Sequence, residues 1–174
     1  MWNKNPGHYN DVTCLALLVV TGCVSGPLVK SPGEEVFYRK ENTAVLEVFN
    51  LTTHWFASVD ARYLGRRDGD YGEFGGSFEV CSDAEYFCLI GGIAAAIPKK
   101  FDGQTSWQFR DITCKSAAPL TDDHLVSVDC SRGNWTNRID YSPARGITSY
   151  WSAAEPGQQF SLVSRPGLLA RTSR

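Results

Sequence analysis

An all-β fold with little helix is what this 174-residue chain predicts, and three observations carry the prediction. Short runs rich in Val, Ile, Phe, Tyr and Trp recur through the body of the sequence, several of them alternating apolar with polar side chains at the two-residue period of a strand. Nearly every gap between the runs contains Gly, Pro, Asp or Asn, the residues that make turns. Helical pattern is scarce: Ile93 to Ala96 has the residues to propagate a helix, but two glycines precede it and a proline follows, so it reads as a strand. Short strands at this spacing build a single antiparallel domain, as a sandwich, a barrel or a strongly bent sheet.

In chain order, Glu35 to Lys40 and Thr43 to Phe49 flank Glu41-Asn42 and form a hairpin. Strands are then expected over Ser77 to Val80, Tyr86 to Ile90, Ile93 to Ile97, Ser106 to Cys114, Leu125 to Cys130, Asn137 to Tyr141, Ile147 to Trp151 and Phe160 to Val163. The cleanest hairpin alternates Ile139 and Tyr141, turns through Ser142-Pro143-Ala144-Arg145-Gly146, and resumes with Ile147, Ser149 and Trp151. Strict alternation puts Trp151 on the face of Ile147 and points Tyr150 the other way.

The start of the chain carries a different signal. Leu15 to Val20 is a short apolar run that leads into Val20-Thr21-Gly22-Cys23. A bilayer span needs about 18 or more apolar residues, so a run this short reads as an export signal rather than an anchor helix. A cysteine directly after a small residue at the end of such a run resembles the lipobox of bacterial lipoproteins. The resemblance covers residues 15–23 only. It implies removal of residues 1–22, a lipid on the sulfur of Cys23, and an address in the cell envelope, on a membrane facing the periplasm. The leader departs from the pattern in having one lysine, Lys4, and in carrying Asp11 where a clearly positive segment belongs. Cleavage at the small residues Val24-Ser25-Gly26 is the alternative, and it gives a soluble secreted protein. A buried strand of a cytosolic domain is the third reading of the run, and it predicts reduced cysteines.

With Cys14 in the leader and Cys23 set aside for lipid, Cys81, Cys88, Cys114 and Cys130 remain as an even set with three pairings open. Disulfides persist in oxidising compartments, so the count agrees with the address the leader implies. Cys81 and Cys88 bracket the polar loop Ser82 to Phe87, while Cys114 and Cys130 end two strand-like runs separated by the turn-forming stretch Ala118 to Asp123. The favoured pairing is therefore Cys81 with Cys88 and Cys114 with Cys130. Neither spacing forms the short knuckle of a structural zinc site.

The chain thus divides into a signal peptide over 1–22, the lipid-attachment cysteine and a flexible Pro-, Gly- and Ser-rich tether over 23–33, a β domain over 34–164, and a basic disordered tail over 165–174. Without Lys4 and Asp11 the mature chain keeps 16 basic and 18 acidic residues. No basic stripe of the kind that neutralises phosphates is present, so nucleic acid is not an expected partner. The expected contacts are the membrane, through the N-terminal lipid, and an envelope protein or glycan.

Catalytic signals are thin. The mature chain offers two histidines, His54 and His124, and no G-x-S-x-G, H-E-x-x-H, P-loop or S-x-x-K motif. His54 sits among aromatics and reads as a core or rim imidazole. His124 follows Asp122 and Asp123, which makes a carboxylate-histidine pair the seed of a hydrolase-type alternative, although a polar turn favours a solvated side chain. Asp68, Asp70 and Glu73 form a loop of oxygen ligands that suits calcium, yet the EF-hand glycine is missing and Arg66 and Arg67 supply compensating charge. No other cofactor is implied. Among the aromatics, Trp135 lies in the turn-like Arg132 to Thr136 and is the best candidate for an exposed ring, with outward-pointing Tyr150 and His124 as further candidate binding residues. Asn50-Leu51-Thr52 and Asn134-Trp135-Thr136 match glycosylation sequons, relevant only in a eukaryotic secretory cell. These observations converge on an exported, lipid-anchored β domain with a binding or structural role.

Overall fold

The computed structural model describes residues 35–63, 75–152, 157–163 and 166–171. The segments expected to be a signal peptide and a tether, Cys23, and the acidic loop with Asp68, Asp70 and Glu73 lie outside the described residues. Within them the chain is almost wholly strand, with one short 3-10 turn at Ala61–Tyr63. The strands are β1 (Glu35–Lys40), β2 (Val45–Asn50), β3 (Trp55–Asp60), β4 (Gly75–Ser77), β5 (Glu79–Ser82), β6 (Tyr86–Gly91), β7 (Ile93–Pro98), β8 (Ser106–Phe109), β9 (Ile112–Ser116), β10 (Val126–Arg132), β11 (Trp135–Ser142), β12 (Gly146–Trp151) and β13 (Gln159–Leu162).

Ten of them form one antiparallel sheet in the order β4-β3-β2-β1-β13-β12-β11-β10-β9-β8, and β5-β6-β7 form a second. The large sheet is two meanders, β1 to β4 and β8 to β13, zipped together where the first and last strands pair, Tyr38 opposite Leu162 and Lys40 opposite Phe160. It does not close into a barrel, since β4 and β8 are its two ends.

The small sheet lays β7 across β9, β10 and β11 of the large one. Every residue of β7, Ile93 to Pro98, is buried, as its continuous apolar sequence requires. Three successive alanines keep its surface flat enough for close approach. One edge of β7 pairs with β6, and the other would leave backbone groups unpaired inside the protein. Side chains of the large sheet meet them: Asn137 Oδ1 accepts from the Ala94 amide at 3.1 Å, and Trp107 Nε1 donates to the Ala96 carbonyl at 2.8 Å. The β6–β7 link is equally constrained. Gly91 and Gly92 have φ of +120° and +72°, and a Cβ on Gly92 would stand 3.1 Å from the Phe56 ring, so the two glycines are what this apex can hold.

An aromatic cluster on β1, β2, β12 and β13 continues the core along the large sheet. Tyr38, Phe49, Tyr150 and Phe160 are all 1 % exposed or less, with Tyr38 and Tyr150 edge-on at 5.1 Å and Tyr150 stacked on Phe160 at 4.9 Å. A smaller cluster, Leu46, Val48, Ala57 and Val59, occupies the opposite face of β2 and β3.

Besides Ser77 to Val80, which divides at Phe78 between β4 of the large sheet and β5 of the small one, four expectations change. The run Ser106 to Cys114 is two strands, because Arg110 adopts φ +53° and turns the chain between Phe109 and Ile112, which face each other in the ladder. β3 is a strand that the sequence pattern hides, since its buried positions are Ala57 and Val59 while Trp55 is partly exposed. Tyr150 points inward and is 1 % exposed rather than outward. A register shift between Asp140 and Tyr141 pairs Asp140 with Ser149 and Tyr141 with Ile147, leaving Thr148 over as a bulge, and the extra residue returns Tyr150 to the face of Ile147 and leaves Trp151 half-buried on the other.

The fourth concerns the C-terminus, because residues 166–171 of the segment expected to be disordered are docked. The Leu168 carbonyl accepts from the Ile147 amide at 2.8 Å, the Pro143 carbonyl accepts from the Arg171 amide at 2.8 Å, and Leu168 is 2 % exposed. The guanidinium of Arg171 donates to the carbonyls of Pro98 and Lys99 and lies 4.0 Å over Phe101. Gly146, at φ +74°, makes the approach feasible, since a Cβ there would strike the Leu168 carbonyl.

Candidate functional site

Beyond the tip of the small sheet, the face of β10 and β11 that β7 covers further along emerges into a cavity of about 400 Å³. Its lining comes from both sheets: the Gly91-Gly92 apex with Ile93 and Ala94 on one side, and Asp111, Arg132, Gly133, Trp135 and Asn137 on the other. Volumes in this range are those of small-molecule sites.

Local sequence builds each wall. Gly133 at φ +59° closes the two-residue turn Gly133-Asn134, so that Arg132 and Trp135 face each other across β10 and β11. Directly opposed residues share a face, with Cβ atoms about 5 Å apart. Trp135 is therefore set beside Arg132, and at 54 % exposed it is the most open large apolar residue on the strands. Its indole N–H has no hydrogen-bond acceptor among the described residues. Arg132 Nε donates to Asp111 Oδ2 at 2.6 Å, and this bond, more than the charge alone, holds the Asp111 carboxyl below its ordinary range. Asp111 reaches that position because the Arg110 turn places it one residue before Ile112, the partner of Arg132 in the ladder.

Asn137 forms the floor at 1 % exposed. The Ala94 amide can only donate, which fixes Oδ1 toward it, and Nδ2 then points to the Trp151 carbonyl at 3.5 Å. One amide hydrogen remains without an acceptor among the described residues. The site thus presents an open indole, a guanidinium-carboxylate pair and a fixed amide around one cavity.

A second depression, about 470 Å³, lies on the opposite face of β10 and β11, lined by Asp129, Arg138, Trp151 and neighbours. It is walled by one sheet, whereas the first takes its walls from two.

The remaining candidates are dispersed. Tyr150 is in the core, its hydroxyl donating to Glu47. His124 stands on the exposed turn before β10 with Nδ1 2.9 Å from Thr121 Oγ1, while Asp122 turns away to Arg171 at 3.3 Å, so the acid-base grouping of a hydrolase is not assembled there. His54 is exposed at φ +53° and tilts against Phe78 at 5.7 Å, a rim position. Among the described residues no group of three or more His, Cys, Asp or Glu is placed to hold a metal ion. Asn50, the first sequon asparagine, is fully buried, and its Oδ1 accepts from the amides of Thr52 and Thr53. Asn134 is exposed at its turn.

The cysteines pair as favoured. Cys81 is bonded to Cys88 across β5 and β6, and Cys114 to Cys130 across β9 and β10. Of the cavity residues, Trp135 was legible from its turn. Arg132, Asp111, Asn137 and the Gly91-Gly92 apex were not singled out as site residues, although the paired glycines before Ile93 were a visible sign of close backbone approach. Comparison with protein-family models, with curated proteins and with solved structures finds no match to this chain.

Proposed function

We propose that the chain is an exported protein of the bacterial cell envelope, anchored through lipid on Cys23, whose β domain serves as a binding module. The observation that carries this reading is the fate of the cysteines. Five lie after the apolar leader, and four are consumed in two disulfides. Cys23, at the end of the lipobox-like Val20-Thr21-Gly22-Cys23, is the one left over, as a lipidated residue must be. Two disulfides favour an oxidising compartment. A binding role is supported by a cavity that combines an exposed indole with a few fixed polar groups, while His124, Asp122 and Asp123 lie apart from one another's hydrogen bonds.

Mass spectrometry of the protein isolated from its own cells tests the address. A mature N-terminus at Cys23 carrying acyl chains, with both disulfides intact, is the expected result. An unlipidated N-terminus near Val24 to Gly26 replaces the anchored protein with a secreted one. An uncleaved N-terminus with free thiols overturns export altogether.

A further inference from the structure

We infer that the cavity at Trp135 is a saccharide-binding site, and that its ligand is an uncharged sugar unit laid against the indole, with its hydroxyls meeting Asp111, Arg132 and Asn137. The inference rests on the binding role proposed above and is independent of the lipid anchor.

Charge sets the class of ligand. Arg132 and Asp111 are the two charged residues of the cavity lining, and they are bonded to each other at 2.6 Å. Their charges cancel, so the site offers donors and acceptors without net attraction for an ion. An anionic ligand would have to compete with Asp111 for the guanidinium, and a cationic one with Arg132 for the carboxylate. A sugar hydroxyl both donates and accepts, and can join such a pair without breaking it.

Shape narrows the class further. Trp135 and Arg132 oppose each other in the ladder, which sets an apolar ring face next to a planar polar group. A pyranose has the matching asymmetry, with C–H groups on one face and hydroxyls around its edge. The indole N–H and the spare amide hydrogen of Asn137 are two further donors. Glycines at 91, 92 and 133 keep the rim low, and the rim is held in place: a Cβ on Gly91 would lie 2.9 Å from Phe78 Cα. Asn137 is fixed by its bonds to Ala94 and Trp151, so the polar floor is organised before any ligand arrives.

The test is calorimetric titration of the purified, disulfide-bonded protein with chitotriose, cellotriose and maltotriose, alongside adenosine and a sulfated trisaccharide, with amide chemical shifts followed by NMR. Saturable binding of at least one neutral trisaccharide is expected, with shifts at Gly91, Gly92, Ala94 and Asn137. Trp135→Ala should weaken it at least about tenfold while near-ultraviolet circular dichroism stays native, since the ring is exposed; Asp111→Asn should weaken it less. No saturation by any neutral trisaccharide up to about 10 mM overturns the inference. Equal affinity in Trp135→Ala overturns it too, as does tighter binding of adenosine or the sulfated sugar. A lipidated Cys23 in a protein that ignores sugars sinks this inference and leaves the address standing; sugar binding by an uncleaved chain does the reverse.

Discussion

Two disulfides that each bridge neighbouring antiparallel strands do different work in this domain. Each joins residues directly opposed in an antiparallel ladder, with Cα separations of 4.9 Å for Cys81 and Cys88 and 4.1 Å for Cys114 and Cys130. Their surroundings differ. β9 and β10 lie inside the ten-stranded sheet, β10 is paired on both sides, and both sulfurs are fully buried beneath β7. β5 is an outermost strand of four residues whose Glu79, Val80 and Ser82 are exposed, and Cys81 is its one buried residue. One bond therefore stitches a region that hydrogen bonds and packing already hold, and the other fastens an edge that little else retains. A cross-link's global worth follows the loop it closes, whereas its local worth follows how poorly its strand is otherwise held.

The largest effect belongs to the inner bond. Cys114 and Cys130 are 16 residues apart, and releasing a loop of that size costs about 3 kcal/mol in the chain-entropy account. Replacing both with alanine also removes two buried sulfurs from a packed layer. Urea denaturation of Cys114→Ala/Cys130→Ala should show a loss of about 3 to 5 kcal/mol with a steeper dependence on denaturant, because the unfolded chain is less compact. A loss no larger than that of the outer pair would break the comparison.

Removing the outer bond should cost about 2 kcal/mol globally, since its loop spans 7 residues. Its signature is local. Hydrogen exchange of Cys81→Ala/Cys88→Ala should lose protection at Glu79 and Asp83, whose amides face β6, while β10 and β11 remain protected, and the same contrast should appear as earlier reduction of Cys81–Cys88 by thiol. Uniform loss of protection across both sheets would show that β5 is integral to the core.

Alkaline pH sharpens the contrast from the other side, because the perturbed tyrosines belong to the large sheet. Burial raises the Tyr141 phenol from 10.0 to about 12, and burial raises Tyr38 further still against an opposing bond from the Leu168 amide. Below about pH 10 both folded and unfolded chains keep these protons and the contribution is whole; above it the unfolded chain loses them first. Stability should therefore fall as pH rises through the 10 to 12 window, by up to about 1.4 kcal/mol per pH unit for each phenol. Tyr141→Phe should flatten the decline, and Cys81→Ala/Cys88→Ala should leave its slope unchanged in denaturant melts from pH 9 to 12.

The two regions also differ in how far the sequence reveals them. β1 is read to the residue, and both disulfides follow from a bracketed loop and a turn between strand ends, because strand alternation and turn residues are local signals. The bulge at Thr148 is not local: it exists because Asp140 pairs with Ser149 and Tyr141 with Ile147, and it alone decides that Tyr150 enters the core. The Arg110 turn carries no glycine or asparagine, so it merged two strands into one run and hid the approach of Asp111 to Arg132. The buried Leu168 lies inside the 165–174 segment, which its three arginines mark as a basic tail, and its burial depends on a groove that other residues make. Trp135 stood out since a turn exposes what it carries, while the Asn137 floor could be known only once β7 was seen lying over β11.

The smallest effect tests the outer edge alone. Arg110, on the β8–β9 turn, bonds Glu79 of β5 at 3.1 Å, with the two side chains 51 % and 55 % exposed. An ion pair this open between two sheets contributes about 0.5 kcal/mol or less, and salt screens it. Arg110→Ala should therefore change stability by no more than that at low salt and by nothing measurable in 1 M salt. Its value lies in the cycle with the outer disulfide. If the bond is what keeps β5 in place, Glu79 drifts away once Cys81 and Cys88 are alanine, and Arg110→Ala then has no effect in that background at any ionic strength. If β5 is held by its ladder with β6 alone, the small salt-sensitive effect survives unchanged, and fastening the edge is not what the outer disulfide does.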